Sequence, residues 1–222
     1  MQGIYKTAEC VSPAHPDKLC DQISDIILDA CLEQDPDSRV AMETMGGHGQ
    51  IYLTGELTTA ADVDIQQCVS QVLIDNRYDP SDYKIFANIV SQSPDIARGV
   101  DTGGAGDQGI MVGYATRESE QLIPLELALA RDILQKLWHS LDDARDAKSQ
   151  ISLLDGKIRV IVLSAERIAK SILREFIDDY LNGCGMRSSI KESTGLHPDL
   201  QVFVNEAGDW SNGGFEADTG LT

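Results

Sequence analysis

The chain has 222 residues, of which 42% are hydrophobic and 24% charged, the proportions of a soluble globular protein. Its 36 acidic residues against 18 basic ones give a formal net charge of −18, which leaves little material for the basic face of a nucleic-acid-binding protein. No apolar run approaches a membrane span, and the N-terminus lacks the apolar core of a signal peptide. We therefore expect a cytoplasmic protein that binds neither nucleic acid nor membranes.

The cysteines form an odd set without a Cys-x-x-Cys pair. They are Cys10, Cys20, Cys31, Cys68 and Cys184. This set argues against a disulfide framework and against a structural zinc site. Because Cys20 and Cys31 fall in the apolar pattern of the first helix, we expect them to be buried reduced thiols.

The first half of the chain predicts the order helix, strand, strand, helix, strand. The elements are a helix over 16–34, strands over 39–45 and 50–56, a helix over 62–75 and a strand over 84–90. Gly46-Gly-His-Gly49 between the first two strands is a strong hairpin signal. The same order recurs about 110 residues later, which indicates an internal repeat.

The second copy has the same kinds of element. They are a helix over 122–141, strands over 151–154 and 158–163, a helix over 166–181 that ends at Gly183, and a strand over 200–204. Between the copies, residues 109–116 predict an apolar strand that belongs to neither. The predicted fold class is therefore α/β, of the α+β type, with two complete α-β-β-α-β units and one additional strand.

The start of the first helix combines three unlike chemical groups. Pro16 suits the first helical position, so His15, Asp17 and Lys18 should lie beside the free backbone N–H groups of the helix. A proton donor, a carboxylate for a divalent cation and a positive charge suit phosphate chemistry. Together with the glycine-rich segment 104–109, this start indicates a nucleotide-using enzyme, although an ordinary helix start with a surface histidine has the same local pattern.

Six segments occur in a characteristic order along the chain. They are His15–Asp25, Met42–Thr44, Gly55–Thr59, Gln92–Asp95, Gly104–Met111 and Asp146–Gln150. In this order they resemble S-adenosylmethionine synthetases, also called methionine adenosyltransferases, and the resemblance spans the whole chain. Because agreement in one segment says nothing about the next, six colinear matches are highly specific.

The resemblance implies an activity and its cofactors. These enzymes join the sulfur of methionine to C5′ of ATP, release triphosphate, and hydrolyse it to pyrophosphate and phosphate, with Mg²⁺ and K⁺. They assemble through flat sheet faces, which implies a dimer or a higher oligomer. Since ATP carries about four negative charges, a protein this acidic needs metal ions and a focused group of cations to hold it.

The resemblance also implies a division into three α/β units about a pseudo-threefold axis. It assigns residues 14–101 and 206–222 to one unit, 1–13 and 119–205 to a second, and the strand-containing segment 102–118 to an incomplete third. An exposed apolar strand edge invites pairing, so we expect a complementary chain to cover this segment.

Site residues follow from the matching motifs. The implied catalytic residues are His15, which would stabilise the leaving triphosphate, and Lys148. The implied ATP-binding residues are His15, Asp146, Lys148, Asp209, Trp210 and Asp218. The implied methionine-binding residues are Glu56, Gln92, Asp107 and Asp218. Asp17 is the implied ligand of Mg²⁺ and Glu43 that of K⁺.

Simpler roles remain open for several of these residues. Glu43 could be an ordinary polar residue on a strand, Trp210 could pack in the core, and Asp107 could belong to a flexible loop. Asp209 and Trp210 also depart from the family pattern, in which an arginine precedes an aromatic residue that stacks on adenine. The segment from Gln92 to Gly104 is shorter than in typical members, which puts the usual gating lid in doubt.

Family members are longer than this chain, and their additional part carries most of the phosphate-binding lysines and arginines. We therefore expect a catalytic subunit that requires a second polypeptide to supply these cations. One alternative is a catalytically incomplete homologue that regulates or scaffolds a full-length synthetase. A further alternative is a self-sufficient enzyme that recruits Arg187 to the phosphates.

Overall fold

The computed structural model describes residues 3–184 and 194–222. In chain order the strands and helices are β1 (Tyr5–Val11), α1 (Pro16–Gln34), β2 (Arg39–Gly47), β3 (Gln50–Thr58), α2 (Ile65–Asp75), β4 (Lys84–Val90), α3 (Pro94–Val100), α4 (Leu125–Ser140), β5 (Ala147–Leu154), β6 (Lys157–Ala165), α5 (Lys170–Asp179), β7 (Leu196–Val204) and β8 (Thr219–Leu221). Arg187, the residue of the self-sufficient alternative, lies outside the described residues.

The chain divides into two compact units. Unit A comprises Pro16–Val112 and Gly214–Thr222, and unit B comprises Met1–His15 and Gly113–Gly213. Within the described residues, no helix is both long enough and apolar enough to cross a membrane.

Unit A contains a four-stranded sheet in the order β4-β3-β2-β8. β2 pairs antiparallel with both β3 and β8, whereas β3 and β4 are parallel and are connected through α2, as a parallel pair requires. The β2–β3 hairpin turns at His48 and Gly49, whose φ angles are 52° and 76°. Two consecutive positive φ angles are typical of the tight turn that matches the twist of paired strands, which explains the glycine-rich hairpin signal.

The core of unit A has an aliphatic part and an aromatic part. α1 buries Leu19, Ile23 and Ile27 completely, at the three- and four-residue spacing of one helix face. The aromatic part is Phe215, fully buried, with its ring centroid 6.0 Å from Tyr78 and 5.9 Å from Tyr83. Since Phe215 directly precedes β8 in the chain, this packing attaches the C-terminal segment to the unit.

Unit B contains a second four-stranded sheet, in the order β1-β5-β6-β7. β1 pairs antiparallel with β5 over seven residue pairs, and β5 pairs antiparallel with β6. β6 and β7 are parallel and are connected through α5. The core is aliphatic and includes the fully buried Leu129 and Ile133 of α4, Ile151 of β5 and Ile161 of β6. α5 continues into a short turn at Tyr180–Cys184, where Gly183 has φ 114°, as expected for a glycine helix end.

The two units share one plan, and this confirms the predicted α/β class and the repeated helix-strand-strand-helix-strand order. Each unit adds a fourth strand that the sequence did not predict. In unit B it is β1, from the start of the chain, and in unit A it is β8, from the last residues. β1 was missed because its side chains do not alternate clearly between apolar and polar, and β8 because it has only three residues.

The predicted strand over residues 109–116 is wrong as a secondary-structure element, because these residues form no strand. The side chains of Ile110, Met111 and Val112 are each 93% exposed. A strand needs a neighbour for its backbone N–H and C=O groups, and none of the described residues pairs with this segment. Its assignment to a third unit stays a prediction.

Several helix boundaries also differ from the predictions for local reasons. The helix predicted from 122 begins at Leu125, because Leu122 has φ 60° and Pro124 precedes the first turn. The helix predicted from 166 begins at Lys170, since Arg167 has φ 60°. Residues 94–100, within the expected loop, form α3 behind the capping residue Ser93.

The prediction that Cys20 and Cys31 are buried thiols is confirmed. Cys10, Cys20, Cys31 and Cys68 are free thiols, and Cys20 and Cys31 are fully buried. Burial raises the pKa of the Cys20 thiol to about 12, so this group stays protonated at neutral pH.

Candidate active site

The predicted metal ligands Asp17 and Glu43 both contact the C-terminal segment of unit A. Asp17, in the first turn of α1, accepts a hydrogen bond at Oδ1 from the backbone N–H of Leu221 at 3.4 Å. Glu43, on the exposed side of β2, accepts one at Oε2 from the hydroxyl of Thr222 at 2.8 Å. The same hydroxyl accepts from the backbone N–H of Thr44 at 3.1 Å. These bonds attach two carboxylates from different elements to the end of β8.

A glycine allows β8 to reach the start of α1. A Cβ atom added to Gly220 would lie 2.1 Å from the carbonyl carbon of Pro16 and 2.6 Å from the backbone nitrogen of Asp17. No other residue could occupy this position without displacing the backbone. The strand therefore lies directly against a helix N-terminus, where free N–H groups favour negative charge.

The oxygen groups around β8 fit the two implied cations in different ways. Within the described part of the chain, no group of three or more His, Cys, Asp or Glu side chains is arranged to hold a metal ion. Mg²⁺ is commonly bound by one or two carboxylates together with substrate phosphates and water, so a single carboxylate such as Asp17 fits a metal that arrives with ATP. The Glu43 carboxylate and the Thr222 hydroxyl offer the oxygen ligands that can replace the water around K⁺.

Two of the predicted methionine-binding residues lie at the same edge of the sheet in unit A. Glu56 is near the end of β3, and its partner Val90 ends the parallel strand β4. Gln92 follows two residues later, and its backbone N–H donates to the Thr58 hydroxyl at 3.2 Å. Its side-chain Oε1 atom is buried and has no hydrogen-bond partner among the described residues. The carboxyl ends of adjacent parallel strands are where α/β sheets usually bind ligands.

Asp107 and Asp218 are exposed residues whose side chains bond locally. Asp107 Oδ1 accepts from the N–H of Gln108 at 2.6 Å, and no described hydrogen bond joins Asp107 to Glu56 or Gln92. Asp218 Oδ1 accepts from the N–H of Thr219 at 2.8 Å, so it directly precedes the strand that contacts Asp17. The structure therefore places Asp218 next to the strand that contacts the predicted metal ligand Asp17.

In unit B, Ser12 connects the loop that carries His15 to the start of β5. The Ser12 hydroxyl donates to the carbonyl of Arg145 at 2.8 Å and accepts from the N–H of Ala147 at 3.0 Å. The N–H of His15 donates to the carbonyl of Ser12 at 3.1 Å. Both His15 and Asp146 are 4% exposed. The predicted phosphate and ribose contacts thus share one well-ordered corner of unit B.

Lys148 lies on β5 opposite Val11 of β1 and Ser164 of β6, and its side chain is exposed. A lysine in such a position keeps its charge in solvent and can reach an anion above the sheet. Its role as a phosphate ligand stays a prediction.

A buried charge network, which the sequence did not predict, lies behind the Trp210 segment. Glu166 is fully buried and accepts from Arg145 at 3.0 and 3.4 Å, in a paired geometry. The Nε atom of Arg167 lies 3.0 Å from the same carboxylate. Two cations therefore share one buried anion. The signal in the sequence was the pair Glu166-Arg167 immediately after the apolar run of β6, at the carboxyl end of a parallel strand.

Trp210 is half-buried beside this network. Its carbonyl accepts from the N–H of Arg167 at 2.8 Å, and its indole N–H donates to Asn205 Oδ1 at 3.4 Å. A Cβ atom on Gly213 would lie 2.4 Å from the indole ring, so the glycine allows the ring to lie flat against the turn. Part of the ring lines a shallow depression of about 300 Å³, which leaves an aromatic surface available for stacking.

Asp209 has a structural contact that the sequence did not predict. Its Oδ1 atom accepts from the backbone N–H of Lys170 at 2.8 Å, the first residue of α5. A carboxylate at this position accepts a hydrogen bond from a free N–H group and interacts favourably with the positive end of the helix dipole. The predicted ATP contact of Asp209 stays a prediction, and the carboxylate is already engaged.

Comparison with known proteins supports the resemblance over nearly the whole chain. The family profile described as "S-adenosylmethionine synthetase, N-terminal domain" matches residues 3–97, and the profile described as "S-adenosylmethionine synthetase, central domain" matches residues 102–210. Among curated relatives, the S-adenosylmethionine synthase of Fusobacterium nucleatum is 40% identical over 243 residues, with 98% of this chain and 61% of the relative covered.

Two other relatives give the same result. The S-adenosylmethionine synthase of Nocardia farcinica is 36% identical, with 97% of this chain and 63% of the relative covered. That of Salinibacter ruber is 35% identical, with 97% and 62% covered. The chain thus spans about three fifths of the length of the curated relatives it matches. On the two matching profiles, the chain belongs to the S-adenosylmethionine synthetase family.

Proposed function

We propose that this chain forms part of a methionine adenosyltransferase, in which methionine sulfur attacks C5′ of ATP and triphosphate leaves and is then hydrolysed to pyrophosphate and phosphate. The observation that carries the proposal is the contact of Asp17 and Glu43 with one short strand, beside a helix N-terminus. This arrangement combines two cation-binding carboxylates with N–H groups that favour anions.

The roles of the site residues follow from their chemistry. A thioether sulfur is already a nucleophile, so the reaction needs no general base and depends on stabilising the leaving group. His15 and Lys148 would stabilise the negative charge that develops on the triphosphate. Asp17 would hold Mg²⁺, which neutralises phosphate charge, and Glu43 would hold K⁺.

The substrate contacts are assigned residue by residue, within each unit separately. Glu56 offers a carboxylate to the ammonium group of methionine, and the Gln92 amide offers its polar atoms to the substrate carboxylate. Asp107 and Asp218 are assigned to the same substrate by the family pattern. In unit B, Trp210 would stack on adenine, while Asp146 and Asp209 would contact the rest of the nucleotide.

A complementary polypeptide that supplies cations is part of the proposal. The 18 basic residues of the chain are half as many as its 36 acidic ones. The segment with Ile110, Met111 and Val112 exposes an apolar surface, and a second chain that pairs with it would remove that surface from water.

Self-association is supported by the sheet face of unit A. Four exposed apolar residues, one on each strand, are aligned by the register of the sheet: Leu221, Met45, Tyr52 and Phe86. They are 61%, 46%, 42% and 46% exposed, and the rings of Tyr52 and Phe86 stack at 4.9 Å. A continuous apolar row of this kind is typical of an interface, and we expect a dimer or a higher oligomer.

The activity is tested by mixing the chain with ATP, methionine, Mg²⁺ and K⁺, alone and with candidate basic polypeptides. S-adenosylmethionine is measured by mass spectrometry, and the phosphate products by ion chromatography. We expect product only with the partner. Equal turnover by the chain alone would contradict the requirement for a second polypeptide, and no product in any mixture would contradict catalysis.

Two substitutions test the assigned site. Asp17→Ala and Lys148→Ala should each lower kcat/KM by about 100-fold or more, because each removes a group that acts on the triphosphate. The exposed Asp29 of α1 and Lys157 of β6 provide matched controls, and Asp29→Ala and Lys157→Ala should leave kcat/KM within about twofold of the parent value.

A regulatory or scaffolding homologue is the second candidate, and the engagement of Asp209 with the start of α5 favours it. In that case, a complex with a full-length synthetase would retain its turnover when this chain carries Asp17→Ala or Lys148→Ala. Loss of turnover in the same complexes would favour the catalytic function.

A further inference from the structure

Arg167 has an orientation that the protein fixes from three sides. Its backbone N–H donates to the carbonyl of Trp210 at 2.8 Å, and its Nε–H donates to the carbonyl of Ser211 at 3.3 Å. Nε also lies 3.0 Å from the buried carboxylate of Glu166. Within the described chain, no hydrogen bond of Arg167 uses its two terminal nitrogens, so the outer half of the guanidinium remains available.

The backbone of Arg167 is in a conformation that is energetically unfavourable for a residue other than glycine. Its φ is 60°, in a region that residues other than glycine seldom adopt. Such conformations persist where the surroundings impose them, and they are common at ligand-binding sites. Here the two carbonyl contacts and Glu166 impose it.

Two cations, Arg145 and Arg167, meet the single carboxylate of Glu166, and Asp209 adds a negative charge nearby. Glu166 is already paired with the buried Arg145, so the three groups together carry one net positive charge. The Arg167 side chain is 47% exposed, which directs this excess charge outwards. The nearby carboxylate of Asp209 accepts from the first N–H of α5, and Lys170 is paired with Glu206 at 2.8 Å.

Arg167 and Trp210 line the same depression of about 300 Å³, together with Asp209 and Ser211. A guanidinium with free terminal nitrogens binds phosphate oxygens in a forked geometry, and an indole face stacks on a nucleobase. A ligand that satisfies both groups carries a base and a phosphate, which is the chemistry of a nucleotide.

We propose that Arg167 is a phosphate-binding residue of the nucleotide subsite and supplies the positive charge that is absent at position 209. The proposal rests on the nucleotide-binding role assigned to Trp210 above. It identifies a cation on the loop after β6, which no motif of the resemblance includes.

The test measures binding of ATP, adenosine and inorganic tripolyphosphate to the full chain by isothermal titration calorimetry. Arg167→Gln should raise the Kd for ATP and for tripolyphosphate about tenfold, the usual effect of removing a charge-assisted phosphate contact, and leave the Kd for adenosine within about twofold. Raising the salt concentration should weaken ATP binding more in the parent protein than in the variant.

Arg174→Gln is the matched control. Arg174 is 51% exposed and forms an ion pair with Asp178 on α5, away from the residues that line the depression. The Arg174→Gln substitution should leave all three Kd values unchanged. Arg167→Lys keeps a positive charge beside Glu166 but lacks the fork, so it should fold and lose part of the affinity for ATP. It provides the test if Arg167→Gln fails to fold.

The outcomes separate this inference from the proposed function. If the parent binds ATP and Arg167→Gln binds it equally well, the inference is wrong and the proposed function stands. An equal loss of adenosine affinity in Arg167→Gln would indicate local distortion and would also overturn the inference. Arg167-dependent binding of tripolyphosphate without binding of ATP would support the phosphate contact and contradict the proposed function. Binding of neither ligand by the parent would overturn the inference, and the turnover assay with the partner would then decide the proposed function separately.

Discussion

The two units have the same arrangement of strands and helices, but they secure their fourth strands differently. In unit B, β1 pairs with β5 over seven residue pairs, whereas in unit A, β8 pairs with β2 over only three. β8 depends instead on the buried ring of Phe215 and on the close approach of Gly220 to Pro16. The comparison teaches that a repeated scaffold does not determine how firmly its site-bearing edges are held.

The two units also hold charge in opposite ways. Unit A presents Asp17 and Glu43 near its surface, attached to the short strand β8. Unit B holds Arg145 and Glu166 in its interior, with Arg167 extending outwards. An exposed carboxylate can exchange its protein contact for a cation at low cost, whereas a buried ion pair cannot separate without losing stability. We expect unit A to change more on ligand binding than unit B.

The largest effect should come from breaking the buried ion pair of unit B. Glu166→Gln removes the buried carboxylate that Arg145 and Arg167 share, and should lower the free energy of unfolding by about 4 kcal/mol. Urea denaturation followed by circular dichroism measures this. Glu206→Gln, which removes a pair between 50% and 55% exposed side chains, is the control and should change the free energy of unfolding far less, because solvent screens an exposed pair. Equal effects of the two substitutions would contradict the buried network.

Removing the aromatic anchor of β8 should have the next largest effect. Phe215→Ala should lower the free energy of unfolding by about 3 kcal/mol, because it leaves a cavity between Tyr78 and Tyr83. Hydrogen exchange of the Leu221 and Thr222 amides should accelerate, while exchange in β1 should not change. Ile74→Ala, at a 57% exposed position of the same unit, is the control and should cost less than about 1 kcal/mol. Unchanged exchange in β8 would show that Phe215 does not hold this strand.

The helix starts provide a third comparison. α2 is capped by Asp64, which accepts a hydrogen bond from the N–H of Gln67 at 3.0 Å. The start of α5 is capped by Asp209, which lies 39 residues from Lys170 in the chain and accepts a hydrogen bond from its N–H. Asp64→Ala and Asp209→Ala should each cost about 1 kcal/mol, the usual value of a cap. Thermal denaturation measures both. The alternative result, a loss of nucleotide affinity in Asp209→Ala without any loss of stability, would favour the ATP contact over the cap.

The smallest effect should be a dependence on acid pH. The backbone N–H of Ala60, followed by weaker hydrogen bonds, holds the pKa of Asp35 in unit A below its ordinary value. A hydrogen bond from Lys6 does the same for the pKa of Glu118 in unit B. A lowered folded pKa means that the charged group stabilises the protein above the pKa of the unfolded state, and that this stability is lost as the pH falls through the folded pKa.

The measurement compares denaturation midpoints of the parent, Asp35→Asn and Glu118→Gln between pH 3 and 7. Each variant should differ from the parent at pH 6, and the difference should shrink as the pH is lowered towards 3. In 1 M salt the Glu118 difference should shrink more, because a partly exposed ion pair is screened over about 3 Å. A difference that is independent of pH would show that ionisation of these groups does not contribute.

The elements that the sequence predicted best are those whose signals are local. The predicted bounds of α1 and β4 agree with the structure, since helical periodicity and a compact apolar run are read within one segment. The tight hairpin at Gly46–Gly49 is also local, because the positive φ angles at His48 and Gly49 follow from the turn itself. In the site, the motif order identified the family and its candidate residues, because each motif is a short run.

The features that the sequence did not predict correctly share a different physical cause. β1 and β8 exist because each pairs with a strand more than 130 residues away in the chain, and no local pattern announces such a partner. Residues 109–116 have the composition of a strand but no partner within the described chain. Arg167 was overlooked for the same reason, since its significance depends on Glu166, Trp210 and Ser211 converging on it.

By itself, the amino-acid sequence determined the repeated α/β order, the family and the set of candidate site residues, because periodicity, turn chemistry and motif spacing are properties of neighbouring residues. Only the tertiary structure decided which strands complete each sheet, which carboxylates share β8, and which arginine extends outwards from the buried carboxylate of Glu166. Those features depend on contacts between distant segments, and such contacts form only when burial of the core brings the segments together.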